Sequence, residues 1–215
     1  MKKSLTFLKF FVMIKIKRES GGWKYMEREK QYETLFFRIE ELLSARERVV
    51  IAIDGGAATG KTTLADLLAK RYGGEVIHMD DFFLRPEQRT PERFSEAGGN
   101  FDRERFSEEV IPYINKREAF SYRIFDCSQM RLNGSAEISD AQLVIVEGSY
   151  SHHPAIANYY DLRVFLHVNE DERKRRIVAR NGAISEMFFT RWIPLENRYF
   201  EAFEIEKKAD IVICG

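Results

Sequence analysis

Eight consecutive residues, Gly55-Gly56-Ala57-Ala58-Thr59-Gly60-Lys61-Thr62, carry the densest chemistry in the chain. Glycines so spaced let the backbone curl until successive N–H groups face one anion. A helix opening behind them adds the positive end of its dipole. Lys61 brings a flexible cation that can reach the β- and γ-phosphates of a nucleotide, and the Thr62 hydroxyl is a hard oxygen suited to magnesium. The segment satisfies G-x-x-x-x-G-K-[ST] in full. Gly55 to Thr63 are therefore the expected nucleotide contacts, with ATP and Mg2+ the expected ligands.

Other side chains suit the same chemistry. Glu147 ends the apolar run Leu143-Val144-Ile145-Val146, and a carboxylate at such a strand tip can hold the metal together with Thr62. Asp80 and Asp81 follow Val76–Met79, where a carboxylate near the phosphate loop can align an acceptor. Helix N-capping can account for one of the two acids, though not for both. Arg173, Arg176 and Arg180 fall at i, i+3 and i+7 and so share a helix face. Guanidinium forks bond phosphate oxygens bidentately. Pairing with Asp171 and Glu172 in solvent explains part of the cluster.

Alternating strands and helices must position these groups. Tyr32, Leu35, Phe36, Ile39, Leu42 and Leu43 recur at helical spacing within 27–47. Val49–Ile53 is a β-branched run of the kind buried on both faces of a sheet. Thr62–Tyr72 reads as a helix ended by Gly73-Gly74, and Val76–Met79 as a short strand. Leu84–Gly99 is polar, with prolines and glycines, and reads as a surface flap. Arg103–Lys116 is helical with Pro112 disturbing its end. Phe120–Phe125, Leu143–Val146, Val164–Val168 and Ile211–Cys214 are further strands. Between them, 169–203 is helical with a breaker at Asn181-Gly182 and a kink or break expected at Pro194. The alternation predicts an α/β domain with a parallel sheet covered on both faces. One domain over 26–215 is expected, with no linker or internal repeat.

At 215 residues, 44% hydrophobic and 32% charged, the composition is that of a globular protein. Thirty-four basic residues balance thirty-four acidic ones, so no net field calls for nucleic acid or a membrane. Cys127 and Cys214 show neither metal spacing nor a disulfide framework, which fits a cytoplasmic protein. Leu5–Ile16 is apolar but broken by Lys9 and Lys15, too short to span a bilayer. Residues 1–25 are read as a disordered arm or as an extension upstream of a true start at Met26.

Ile51-Ala52-Ile53-Asp54-Gly55 through Leu64-Ala65, then His78-Met79-Asp80-Asp81-Phe82-Phe83, Asn100-Phe101-Asp102, Val146-Glu147-Gly148 and Ala209-Asp210-Ile211-Val212-Ile213 together resemble the uridine kinase and phosphoribulokinase superfamily. The superfamily includes the nicotinamide riboside kinases, and the likeness spans most of 49–213. It implies a three-layer, nucleoside-kinase-like P-loop NTPase fold. It also implies transfer of the ATP γ-phosphate to a hydroxyl of a nucleoside or similar small acceptor. Carried over, Asp80 is the catalytic base, and Asp102 binds vicinal hydroxyls, although Asp102 is as readily the N-cap of the helix starting at Arg103. Phe83 and Tyr122 join the acceptor site. Arg176 and Arg180, on a lid over about 169–192, stabilise the transferred charge beside Lys61, with Arg191 a weaker candidate. Related kinases are often homo-oligomers; no residue here shows it.

The chain departs from that pattern at Tyr122–Met130, where Phe125 replaces a tyrosine and no histidine follows. Arg85, Arg89 and Arg93, at steps of four, can meet an anionic acceptor or pair with Glu87, Glu92 and Glu96. Two other classes compete with a kinase. Asn115-Lys116-Arg117-Glu118 lacks the aspartate of a guanine-specifying motif, which argues against a GTPase. An ATP-binding regulatory module, or a switch with no acceptor, is the remaining alternative.

Overall fold

The computed structural model describes residues 22–182 and 185–215, with side chains from residue 32 onward. Two stretches of the chain built for burial set its centre. β1 (Val49–Gly55) and β5 (Leu143–Glu147) are buried at every position, as β-branched runs covered on both faces must be. They pair in parallel, Val49 opposite Leu143 and Ile53 opposite Glu147. β2 (Glu75–His78), β6 (Leu162–His167) and β7 (Ile211–Cys214) complete a five-stranded sheet in the order β2-β5-β1-β6-β7. Every pairing in it is parallel.

Successive side chains of a strand point to opposite faces, and the core divides accordingly. Val49, Ile51 and Ile53 pack with Leu35 and Ile39 of α1 (Gly22–Ala45) and with Leu64 and Leu68 of α2 (Lys61–Tyr72). On the other face Val50, Val144 and Val146 meet Phe82, Phe106 and Tyr199. That face is covered by short pieces. α3 (Pro91–Ser95) lies in the flap, and α4 (Arg103–Glu109) runs to Val110, where α5 (Ile111–Ile114) begins. Pro112 explains this division of the expected 103–116 helix, because it has no N–H to continue the ladder.

Beyond β6, α6 (Glu170–Asn181) ends at Gly182, in the left-handed region at φ 52°. α7 (Ser185–Met187) and a π-turn, Phe188–Trp192, lead into α8 (Ile193–Phe203), and α9 (Ile205–Lys208) follows. The kink or break expected at Pro194 falls just ahead of it. Pro194 is the second residue of α8, and the irregularity takes the form of the π-turn that ends at Trp192, just before it.

One strand was not legible. β4 (Arg131–Ile138) pairs antiparallel with β3 (Phe120–Asp126) as a hairpin apart from the main sheet. Its sequence RLNGSAEI is largely exposed and carries no apolar alternation to announce it. The expectation for 1–25 falls mainly outside the described residues; Gly22–Tyr25 begin α1. No helix among the described residues is long and apolar enough to cross a membrane.

Candidate active site

The loop between β1 and α2 is shaped by three backbone positions. Gly55 has φ 146°, and a Cβ there would stand 2.5 Å from the Leu166 carbonyl oxygen, so only glycine fits. Ala58 at φ 61° and Gly60 at φ 100° turn the chain into α2. The start of the loop is pinned from below. Asp54, fully buried, accepts from the Gly55 N–H at 2.7 Å, the His152 N–H at 2.9 Å and the Tyr199 hydroxyl at 2.7 Å.

A cleft of about 960 Å³ opens over this loop at the carboxyl ends of β1, β2 and β5. Ligands of open α/β sheets settle at that edge. Ala57, Ala58, Gly60, Lys61, Thr62, Thr63, Asp80, Phe83, Glu147, Arg176 and Arg180 all line it. Gly55, Gly56 and Thr59 form the inner side of the loop, with the Thr59 hydroxyl donating to the Gly56 carbonyl at 2.9 Å. Lys61 Nζ also donates to the Gly56 carbonyl, at 2.9 Å. Arg176 reaches the Ala58 carbonyl at 3.4 Å while bonding Glu172 at 2.7 Å, so the ion-pair reading describes part of the arginine face. Arg180 stacks 5.8 Å from the Phe188 ring centroid.

The acids of the cleft are electrostatically distinct. Glu147 Oε1 accepts from the Thr62 hydroxyl at 3.1 Å and lies 2.7 Å from His78 Nδ1. That carboxylate is the main cause of a raised His78 pKa. Asp80 presents an exposed carboxylate to the cleft from the 3₁₀ turn Met79–Phe82. Dense protein around it nevertheless pushes its carboxyl upward, opposed by Lys61 and reinforced by Glu147 and Asp81. The turn is strapped down by Arg105. This arginine is buried over the Phe82 ring, 4.2 Å from its centroid, and donates to the Asp81 and Arg123 carbonyls.

Asp102 and Tyr122 do not reach the cleft. Asp102 is completely buried as the N-cap of α4: its Oδ1 accepts from Arg105 N–H at 3.1 Å and Gln88 Nε2 at 2.9 Å, and its Oδ2 accepts from Arg85 Nε at 3.3 Å. Its oxygens are committed to the protein, so the capping alternative is the one realised. Tyr122 is buried against Phe82, and its hydroxyl donates to Asp81 Oδ2 at 2.9 Å. Removing that hydroxyl in Tyr122→Phe should destabilise the fold by about 1 kcal/mol and leave the KM of the acceptor within about twofold. Thermal melts and steady-state kinetics check both, and a tenfold KM increase would return the ring to the substrate.

Other wall residues carried no signal in sequence. Glu196, buried in α8, accepts from the Ala57 N–H at 3.0 Å and the Ser149 hydroxyl at 2.7 Å, and pairs with Arg173 at 3.3 Å. An acid inside a helix, 139 residues from the loop it holds, has no local pattern to betray it. Trp192 stacks on Phe83 at 6.3 Å and joins the segment after α6 to the flank of the Asp80 turn.

Comparison with known proteins adds to this geometry. No family model matches the chain. Uridine kinase of Ureaplasma parvum is 24% identical over 175 residues, covering 75% of this chain and 84% of the relative. Uridine kinase of Clostridium perfringens is 23% identical over 186 residues, covering 77% and 86%. The structure of a possible uridine kinase from Bacillus stearothermophilus superposes with TM-score 0.67 at 22% identity, covering 87% of this chain and 99% of that one. These likenesses support a uridine kinase-like P-loop kinase. As such the chain is an ATP-dependent small-molecule kinase, a phosphotransferase to a hydroxyl group, and the regulatory-module alternative is not favoured. In the kinase, the nucleotide loop, Glu147 and Asp80 share one cleft wall.

Proposed function

We propose that the kinase moves the γ-phosphoryl group of ATP to a hydroxyl of a nucleoside or similar small acceptor, with Asp80 as the base. The observation that carries this is the convergence of Lys61, Thr62, Asp80, Glu147, Arg176 and Arg180 on one cleft. The acceptor oxygen bonds the γ-phosphorus as the bond from phosphorus to the β–γ bridging oxygen breaks. ADP leaves, and the hydroxyl proton passes to Asp80. Loop N–H groups and Lys61 hold the phosphates, while Arg176 and Arg180 meet charge spreading over the transferred group. Arg105 and the Asp81–Tyr122 bond keep the Asp80 turn in place.

Thr62 and Glu147 fit magnesium: two hard oxygens 3.1 Å apart, one at the start of α2 and one at the end of β5, are the donors that ion selects. When bound it would neutralise charge on the phosphate oxygens. Glu147→Gln should raise the Mg2+ concentration giving half-maximal rate by about tenfold. A titration curve unmoved by the substitution would remove Glu147 from the metal site.

ADP release tests the reading, measured with uridine, cytidine, nicotinamide riboside, pantothenate and pentose phosphates as acceptors. Release that requires one of them is the expected result. Equal release without acceptor would identify a nucleotide switch instead. The likeness to proteins named uridine kinase favours nucleosides as the first arm.

A further inference from the structure

The flap arginines meet different fates. Arg85 pairs with Glu87 and Asp102, each at 3.3 Å, and Arg93 holds Glu104 at 2.8 Å. Arg89 does neither. Its Nε donates to the Leu84 carbonyl at 2.8 Å, and its guanidinium lies 5.7 Å from the Phe125 ring centroid. Among the described residues no carboxylate pairs with it, and it lines the cleft that holds Asp80. Arg191 lines the same cleft. Its guanidinium stands 4.9 Å from the Trp192 ring centroid and 5.4 Å from that of Phe94, also with no carboxylate partner among the described residues.

Arg89 feels the charge of Arg191. Burial lowers the Arg89 pKa first, Cys127 opposes it, and Arg191 lowers it further. A partly buried guanidinium such as that of Arg89, set near a second cation and facing no acid, costs free energy unless an anion joins it. The phosphates of ATP have their own partners in the loop N–H groups, Lys61, Arg176 and Arg180. The Phe83–Trp192 stack supplies an apolar wall beside the two arginines. Phe125, which replaces the family's tyrosine, lies against Arg89 itself. The departure in sequence and the unpaired cation therefore coincide.

We propose that Arg89 and Arg191 form an anion subsite for the acceptor, so that the substrate carries a carboxylate or phosphate besides the hydroxyl it offers to Asp80. This rests on the kinase reading and names the chemical class of its acceptor. Arg89 is then a specificity-determining residue. Its fork grips an anion bidentately, which a neutral nucleoside cannot reward.

Matched pairs test it: uridine with orotidine, nicotinamide riboside with nicotinate riboside, and ribose with ribose 5-phosphate. The first two pairs vary a carboxylate and the third a phosphate, so they also separate the two anions. At least one member bearing the carboxylate or phosphate should be phosphorylated with kcat/KM about tenfold or more above its partner that lacks it. Arg89→Gln should raise the KM of that anion about 10- to 100-fold and leave the KM of ATP unchanged, with Arg89→Lys recovering part of the loss. Preference for the members without carboxylate or phosphate, or an Arg89→Gln enzyme with unchanged discrimination, overturns the subsite and leaves the kinase reading standing. If no compound supports turnover, the kinase reading fails and binding decides the subsite separately. Trp192 fluorescence is then titrated with orotidine and ribose 5-phosphate in Trp23→Phe protein holding ADP and Mg2+. Saturable quenching lost in Arg89→Gln upholds the subsite; absence of quenching overturns it.

Discussion

Asp80→Asn is expected to lower kcat by roughly 10²- to 10⁴-fold while leaving the KM of ATP within about twofold. Asparagine keeps the size of the side chain and one acceptor oxygen, so the acceptor hydroxyl is still aligned; what is lost is a group that can take its proton. The pH profile separates base from bystander. A base must be ionised, and the surroundings of Asp80 raise its carboxyl above the ordinary value of 3.8. The acid limb of kcat should therefore lie above that value in the parent and vanish in the variant.

Stability carries the opposite sign. A carboxyl whose folded pKa is raised favours the protonated folded state, so the fold loses stability as pH rises from 3.8 through the raised value. Asparagine cannot ionise, and the ligand-free variant should melt no lower than the parent at neutral pH, and slightly higher. The gain is small because Asp80 is exposed to the cleft and water screens it. A rate near that of the parent, or an acid limb that survives, would take Asp80 out of the proton transfer. A variant that melts much lower would mean that the rate loss reports misfolding.

What could be read from sequence was what depends on local pattern. The glycine loop is contiguous, and its strand before and helix after are announced by a β-branched run and a helical period. Glu147 is marked by the four buried residues ahead of it. The sheet order was not legible, since which strands become neighbours depends on long-range packing. β4 escaped because it is largely exposed and its own residues carry no apolar alternation. Asp102 could not be settled because an N-cap and a ligand acid look alike until its donors are seen. Glu196 and Arg89 form the other limit: one holds the loop from a distant helix, and the other is conspicuous only because its neighbours Arg85 and Arg93 found acids.

Asp54→Ala should cost about 3–5 kcal/mol of folding free energy, a fall in melting temperature on the order of 10 °C. The carboxylate is fully buried and accepts from the Gly55 N–H, the His152 N–H and the Tyr199 hydroxyl. Alanine removes the acceptor and leaves those donors without water or partner, which is the expensive direction of hydrogen-bond loss. The three donors lie at the start of the nucleotide loop, after β5 and on α8, and α8 also carries Glu196, which holds Ala57. One buried acid thus joins the fold to the site. The KM of ATP should accordingly rise in whatever fraction remains folded, since loop N–H groups that are not held in place cannot meet phosphate together. Asp54→Asn keeps one acceptor oxygen and should lose roughly half as much stability. Chemical denaturation and ATP titration of both variants provide the check. An alanine variant that melts within about 2 °C of the parent would show that these bonds are replaceable, and the loop would then owe its shape to Gly55, Ala58 and Gly60 alone.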